Sequence, residues 1–181
     1  MANKKIIIGL IGEIASGKGT IYNYLSQKYD VGYHRFSTIL RDILDRLHKE
    51  INRENMQKLS TILRENFEQD ILAKVIAKDV KNDQHKIIIV DGVRRFADIK
   101  YLKKIKGFKL VYIIADIEKR YKRVIKRSEN SGDKTKTFDD FKKENRQESE
   151  IEIGKVGERA DIRMDNNNSF EELYKLIEKI I

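Results

Sequence analysis

The residues of this chain best placed to do chemistry lie between its first apolar run and its first helical pattern. Gly12-Glu13-Ile14-Ala15-Ser16-Gly17-Lys18-Gly19-Thr20 fits the spacing GxxxxGK. Phosphate oxygens need many donors at once, and a loop free of bulky side chains can turn successive backbone N–H groups inward around them. A helix that follows adds its positive N-terminal end, and a lysine supplies a point charge between the terminal phosphates. Gly12, Ala15, Ser16, Gly17, Lys18, Gly19 and Thr20 are therefore candidate nucleotide-phosphate ligands, with Lys18 also a candidate catalytic residue. The general motif has Ser or Thr directly after the lysine, where the hydroxyl ligates Mg²⁺. Here Gly19 takes that place and Thr20 stands one further on, so Mg²⁺ is expected to be held through waters, the nucleotide and Thr20. A glycine turn with a chance lysine is the bland alternative, and the flanking elements argue against it.

Those elements follow from the pattern around the loop. Ile6 to Ile11 is almost continuously apolar and rich in β-branched residues, as in a parallel strand buried on both faces. Lys18 to Tyr29 then places Ile21, Tyr22, Leu25 and Tyr29 at helical spacing. A weaker extended segment, Val31 to Phe36, leads at Ser37 into helical patterns carried by Ile39, Ile43, Leu44 and Leu47, by Met56, Leu59 and Leu63, and by Ile71 to Val80. Two more strand-like runs, Ile87 to Val90 and Leu110 to Ala115, end at Asp91-Gly92 and Asp116. A basic helix is expected from Asp116 to about Ser128, and a mobile loop at Asn130 to Lys136. Thr137-Phe138-Asp139-Asp140 and Ser169-Phe170-Glu171-Glu172 fit capping boxes. The last helix is expected to bury Phe170, Leu173, Tyr174, Ile177 and Ile180. Strands alternating with helices, without repeat or linker, predict one α/β domain over residues 1–181 with a mostly parallel sheet.

Composition narrows the chemistry. The 181 residues contain no cysteine, which removes disulfides, thiolate catalysis and cysteine metal sites. Lys and Arg number 38 against 29 Asp and Glu, a formal +9, which suits any polyanion and does not choose among them. Heavy use of Lys, Ile and Asn suggests biased codon usage behind part of that charge. The run at Ile6 falls well short of the ~20 residues of a membrane span, so no membrane association and cytoplasmic residence are the default expectations. His34, His48 and His85 lack metal-ligand spacing with one another.

The GKGT ending is similar to that of adenylate kinases and related nucleoside monophosphate kinases. Arg64-Glu65-Asn66-Phe67, Val90-Asp91-Gly92-Val93-Arg94, Arg120 to Arg127, Arg146 to Glu150 and Ala160-Asp161 to Leu173 resemble, in their order, the signatures of an archaeal family of small kinase-like P-loop proteins. That family is in turn similar to dephospho-CoA kinases. The resemblance implies a three-layer α/β/α P-loop fold with five mostly parallel strands, an acceptor-binding helical region at about 37–80 and a lid at about 128–146. It implies ATP and Mg²⁺ as cofactors, a nucleotide substrate, and a monomer or homodimer.

It also implies roles for particular side chains. Arg41 is similar to the arginine that grips the acceptor phosphate, and Arg94, Arg127 and Arg146 are further candidates for substrate phosphate. Asp91, at a strand end where α/β proteins place ligands, resembles the acid that holds magnesium waters and is a candidate metal and catalytic residue. Arg123 and Arg127 match a lid-helix pair and are candidate catalytic residues, with Arg123 also toward the nucleotide, while Arg120 and Lys126 could equally be surface charge. Asp165 to Asn168 resembles the loop near the nucleotide base and consists of turn formers. Dephospho-CoA kinases carry an acid at the end of strand two; here Arg35-Phe36-Ser37-Thr38 stands there, which favours a phosphate acceptor over a hydroxyl. The expected activity is γ-phosphoryl transfer from ATP to a nucleoside monophosphate. A dephospho-CoA kinase-like enzyme remains the runner-up, and an ATPase or switch acting on RNA or ribosomal particles is a rival class. Nucleic acid is possible but not favoured, since no RNA-reading motif with interleaved aromatics is visible.

Overall fold

The computed structural model describes residues 5–127, 133–146 and 148–181, with the side chains of 148–151 excepted. Its centre is β1 (Ile6–Ile11), which hydrogen-bonds in parallel to β3 (Ile87–Val93) on one side and β4 (Phe108–Ile114) on the other. β2 (Val31–Arg35) extends the sheet beyond β3 and β5 (Ile162–Asp165) extends it beyond β4, giving the order β2-β3-β1-β4-β5. All five strands run the same way, so their C-terminal ends share one rim. The direction of chain crossover reverses on either side of β1, and a crevice opens there at that rim, where open α/β sheets bind ligands.

Period-two alternation explains how one strand serves two cores. Ile7 and Ile11 join Phe36, Leu40, Ile76, Val80, Ile88 and Leu110 on one face. Ile8 and Leu10 join Ile21, Leu25, Ile89, Val111, Met164, Leu173 and Ile177 on the other. The second face is covered by α1 (Lys18–Lys28) and α9 (Phe170–Glu178), whose far ends meet at one carboxylate. Glu178 accepts from Lys28 Nζ at 2.5 Å, Tyr24 Oη at 2.8 Å and Tyr29 Oη at 2.8 Å.

On the first face lie α2 (Phe36–Arg46), α4 (Ile71–Asn82) and the short α5 (Phe96–Ile99), with α3 (Arg53–Asn66) outside them. The helical insertion expected at 37–80 thus divides. α4 buries Leu72, Ala73, Ile76, Ala77 and Val80 and belongs to the core, whereas α3 buries no residue fully. Between β4 and β5 come α6 (Ile117–Arg127), α7 (Phe138–Glu144) and α8 (Glu148–Gly157).

Thr137 and Ser169 cap their helices, Thr137 Oγ1 accepting from Asp140 N and Ser169 Oγ from Glu172 N, which is the N-cap half of each expected capping box. Three expectations are corrected. Residues 133–135 of the expected mobile loop form a 3₁₀ turn around the buried Asp133, while 128–132 lie outside the described residues. Lys136 ties that turn down by donating to Asp133 Oδ1 at 3.2 Å and Glu144 Oε2 at 2.8 Å. The helix expected from Ser37 begins one residue earlier, at Phe36. Phe170 is 42% exposed rather than buried, since it opens α9 beyond the edge of the core that Leu173 and Ile177 fill.

Candidate functional site

β1 delivers the chain to Gly12 at the C-terminal rim, and α1 carries it away from Lys18. The turn between them requires unusual backbone. Ala15 lies at φ 61° and Gly17 at φ 119°, and a Cβ on Gly17 would stand 2.2 Å from Asn166 Nδ2. Gly17 is the N-cap of α1 and offers no side-chain cap, so the first N–H groups of the helix are turned to the cradle. Lys18 Nζ lies over the same loop, donating to Gly12 O at 2.6 Å and Glu13 O at 3.0 Å.

Gly19 behaves differently from its neighbours, because a Cβ there would meet nothing within 4 Å. The fold itself does not demand glycine at this position. Gly19→Ser is therefore expected to fold normally and to raise stability by about 0.5 kcal/mol through helix propensity, read as an unchanged or slightly higher urea midpoint.

Two arginines of α6 hold the loop from outside. Arg123 Nη2 donates to Asn166 O at 2.8 Å and Nη1 to Ala15 O and Ser16 O, both at 3.4 Å, with the guanidinium 5.6 Å from the Phe170 ring. Burial pulls its pKa below the ordinary value. Arg120, which read equally well as surface charge, is 6% exposed. It donates to Ala115 O at 3.0 Å, Ile14 O at 3.2 Å and Asn145 Oδ1 at 2.6 Å. The cradle is thereby joined to the end of α7. Asn166 completes the support: fully buried, it donates from Nδ2 to Ser16 O at 2.6 Å. The polar run at Asp165 to Asn168 was the signal for it, although turn formers alone do not reveal such a brace.

Across the crevice, the β2–β3 register places Arg35 beside Asp91. Asp91 is 4% exposed. Its Oδ2 accepts from Tyr33 Oη at 2.8 Å and lies 3.4 Å from Arg35 Nε. Burial, then the Asp91 charge, pushes the Tyr33 hydroxyl well above its ordinary pKa, so it stays a donor. Asp98, nearly buried, accepts Arg94 N and Arg95 N on Oδ2 at 3.0 and 2.9 Å and so fixes the turn after β3; burial raises its own pKa.

Arg41 is half-buried on α2 and has no ion-pair partner among the described residues. Arg94 is exposed after β3, Arg127 is exposed at the last position of α6, and Arg146 is exposed just past α7. Lys18 and Arg123 thus contact the cradle loop and Asp91 stands at the C-terminal end of the neighbouring strand β3, whereas Arg94, Arg127 and Arg146 are exposed. Thr20 is half-buried in the first turn of α1.

Among the described residues no group of three or more His, Cys, Asp or Glu side chains is placed to hold a metal ion. His34 Nε2 and His85 Nδ1 share Asp83 at 2.7 and 2.5 Å. No helix among the described residues is long and apolar enough to cross a membrane.

Comparison with known proteins agrees with this geometry. A UPF0200 protein of Hyperthermus butylicus is 28% identical over 93% of this chain and 89% of its own length. The fold matches solved shikimate kinases from Bacteroides thetaiotaomicron (TM-score 0.64, 14% identity, 97% and 98% of the two chains) and Aquifex aeolicus (TM-score 0.57, 19% identity, 97% and 95%). A family model described as an AAA domain matches residues 11–142, which include the whole cradle, α6 and most of α7. With well over half of its length matched by that model, the chain belongs to the AAA domain family, on a P-loop kinase-like, nucleotide-binding fold.

Proposed function

We propose that the protein transfers the γ-phosphoryl group of ATP to a nucleoside monophosphate. One observation carries the reading. The buried side-chain oxygens without a hydrogen-bond partner among the described residues are Glu13 Oε2 and Ser16 Oγ of the cradle itself, Asn166 Oδ1, whose amide braces Ser16, and Asp91 Oδ1 at the C-terminal end of β3 beside β1. Orphaned buried polar atoms are costly and uncommon, so their placement at the cradle and the neighbouring strand end marks where a polar ligand is to be received.

Phosphoryl transfer needs positioning and neutralisation of charge more than covalent help. The cradle amides and Lys18 would hold the β- and γ-phosphates. Arg123, already against Ala15 O and Ser16 O, keeps the loop in shape and adds cationic charge at its rim. Mg²⁺ binds through few carboxylates and keeps several waters, a requirement that Asp91 Oδ1 and Thr20 fit; the ion would supply charge neutralisation between the phosphates. On the acceptor side, Arg41 has no ion-pair partner among the described residues and Arg35 is half-exposed beside Asp91, cations suited to a second phosphate.

The free Oδ1 of Asp91 favours a second reading, in which it accepts the proton of a hydroxyl acceptor such as dephospho-CoA. An ADP-production assay over nucleoside monophosphates, deoxynucleotides and dephospho-CoA, with a no-acceptor control, separates the two. Stimulation by monophosphates is expected, and steady hydrolysis indifferent to every acceptor would sink the kinase reading. Arg41→Ala is expected to raise the acceptor KM by about tenfold or more, the loss of one charge-assisted contact, with the ATP KM nearly unchanged. Equal changes in both would remove Arg41 from the acceptor site.

A further inference from the structure

The positive charge of this protein is not spread evenly. Residues 71–109 hold nine lysines and two arginines against four aspartates, a net +7 of the chain's +9. Of those aspartates, Asp91 and Asp98 are buried and Asp83 is engaged by two histidines. General codon bias would not concentrate charge in this way.

The fold gathers part of it into a groove of about 180 Å³ lined by Lys74, Ala77, Lys78, Lys81, Tyr101 and Lys104, with no carboxylate in its lining. Positions 74, 78 and 81 recur on one face of α4, spanning about 10 Å along the helix. Asp70 organises one end: it accepts Tyr101 Oη at 2.8 Å and Lys100 Nζ at 2.7 Å, with Lys74 also within reach. Lys78, Lys81 and Lys104 have no ion-pair partner among the described residues, and Lys104 Nζ lies 5.8 Å from the centre of the Tyr101 ring.

We propose that this groove binds the sugar–phosphate backbone of a single-stranded nucleic acid, at a site separate from the phosphate cradle. A line of unpaired ammonium groups neutralises successive phosphates, and the ring at its wall offers a face for a base. A membrane surface fits less well. Interfacial binding uses an apolar face as well as charge, and none of the exposed large apolar residues, Leu47, Ile51, Ile62, Phe67, Phe96 and Phe170, lines the groove. The concave shape also suits a strand better than a bilayer.

The test is fluorescence anisotropy of the full chain with a labelled, unstructured RNA of about 20 nucleotides, long enough to cover one such site. The wild type is compared with Lys78→Gln/Lys81→Gln/Lys104→Gln and with Lys155→Gln/Lys175→Gln/Lys179→Gln, which removes equal charge elsewhere. The groove variant is expected to bind at least tenfold more weakly and to lose about 2 from the slope of log K against log salt, three contacts at ~0.7 each. The control variant is expected to stay within twofold of wild type. Equal weakening in both variants would show a general charge effect and overturn the proposal. So would binding to phosphatidylserine vesicles without binding to the RNA.

Discussion

Lys18→Ala is expected to lower nucleotide turnover by on the order of a hundredfold or more, the loss seen when a preorganised donor is taken from developing charge. The protein should nevertheless fold. The ammonium group donates to backbone oxygens of its own loop, Gly12 O and Glu13 O, and the side chain is not part of either apolar core. A coupled assay beside a circular-dichroism melt separates the two effects. Full activity in a folded variant would contradict the assignment of the cradle. Lys18→Arg is a sharper form of the same test, since the planar guanidinium is no substitute for a compact point charge in a tight loop.

Arg120→Ala should show the opposite balance, with stability falling first. Its guanidinium satisfies Ala115 O, Ile14 O and Asn145 Oδ1 in a setting only 6% exposed, and stands 5.7 Å from the Phe141 ring. Removing it leaves buried acceptors without donors at about 1–3 kcal/mol each, so a loss of about 3 kcal/mol is expected in urea unfolding. Because Ile14 belongs to the cradle, nucleotide affinity should weaken in the same variant at low denaturant. A change below about 0.5 kcal/mol, the usual range for a surface substitution, would show that Arg120 bears no structural load. Arg120→Lys should recover only part of the loss, as one ammonium cannot reproduce the fork.

The cradle and the central strands were readable because their signals are local. Glycine at 12 and 17, lysine at 18 and a β-branched run before them encode strand, turn and helix within twenty residues. Ser169 and Thr137 likewise announced their helices through residues three positions away. Arg120 and Arg123 were not separable that way, since a guanidinium looks the same in sequence whether it meets solvent or Ile14 O. The pairing of Arg35 with Asp91 depends on β2 lying beside β3, a register between residues 56 positions apart. Asn166 braces Ser16 from 150 positions away. Phe170 sat at a plausible core spacing and still came out exposed, because periodicity gives a face and not the point at which the neighbouring layer ends.

The junction at Glu178 has a consequence for behaviour in acid. Lys28, Tyr24 and Tyr29, in that order with Tyr24 before Tyr29, hold its carboxyl at about 2, against an ordinary 4.5. A depressed carboxylate keeps its full contribution above its unfolded pKa, loses it progressively as the pH falls below that value, and has lost it once the pH passes the folded one. The junction between the first and last helices should therefore be at full strength at neutral pH, weaken as the pH falls below about 4.5 and be lost by about pH 2. The helix that starts at the phosphate cradle is thus moored at its far end by a hitch that acid loosens.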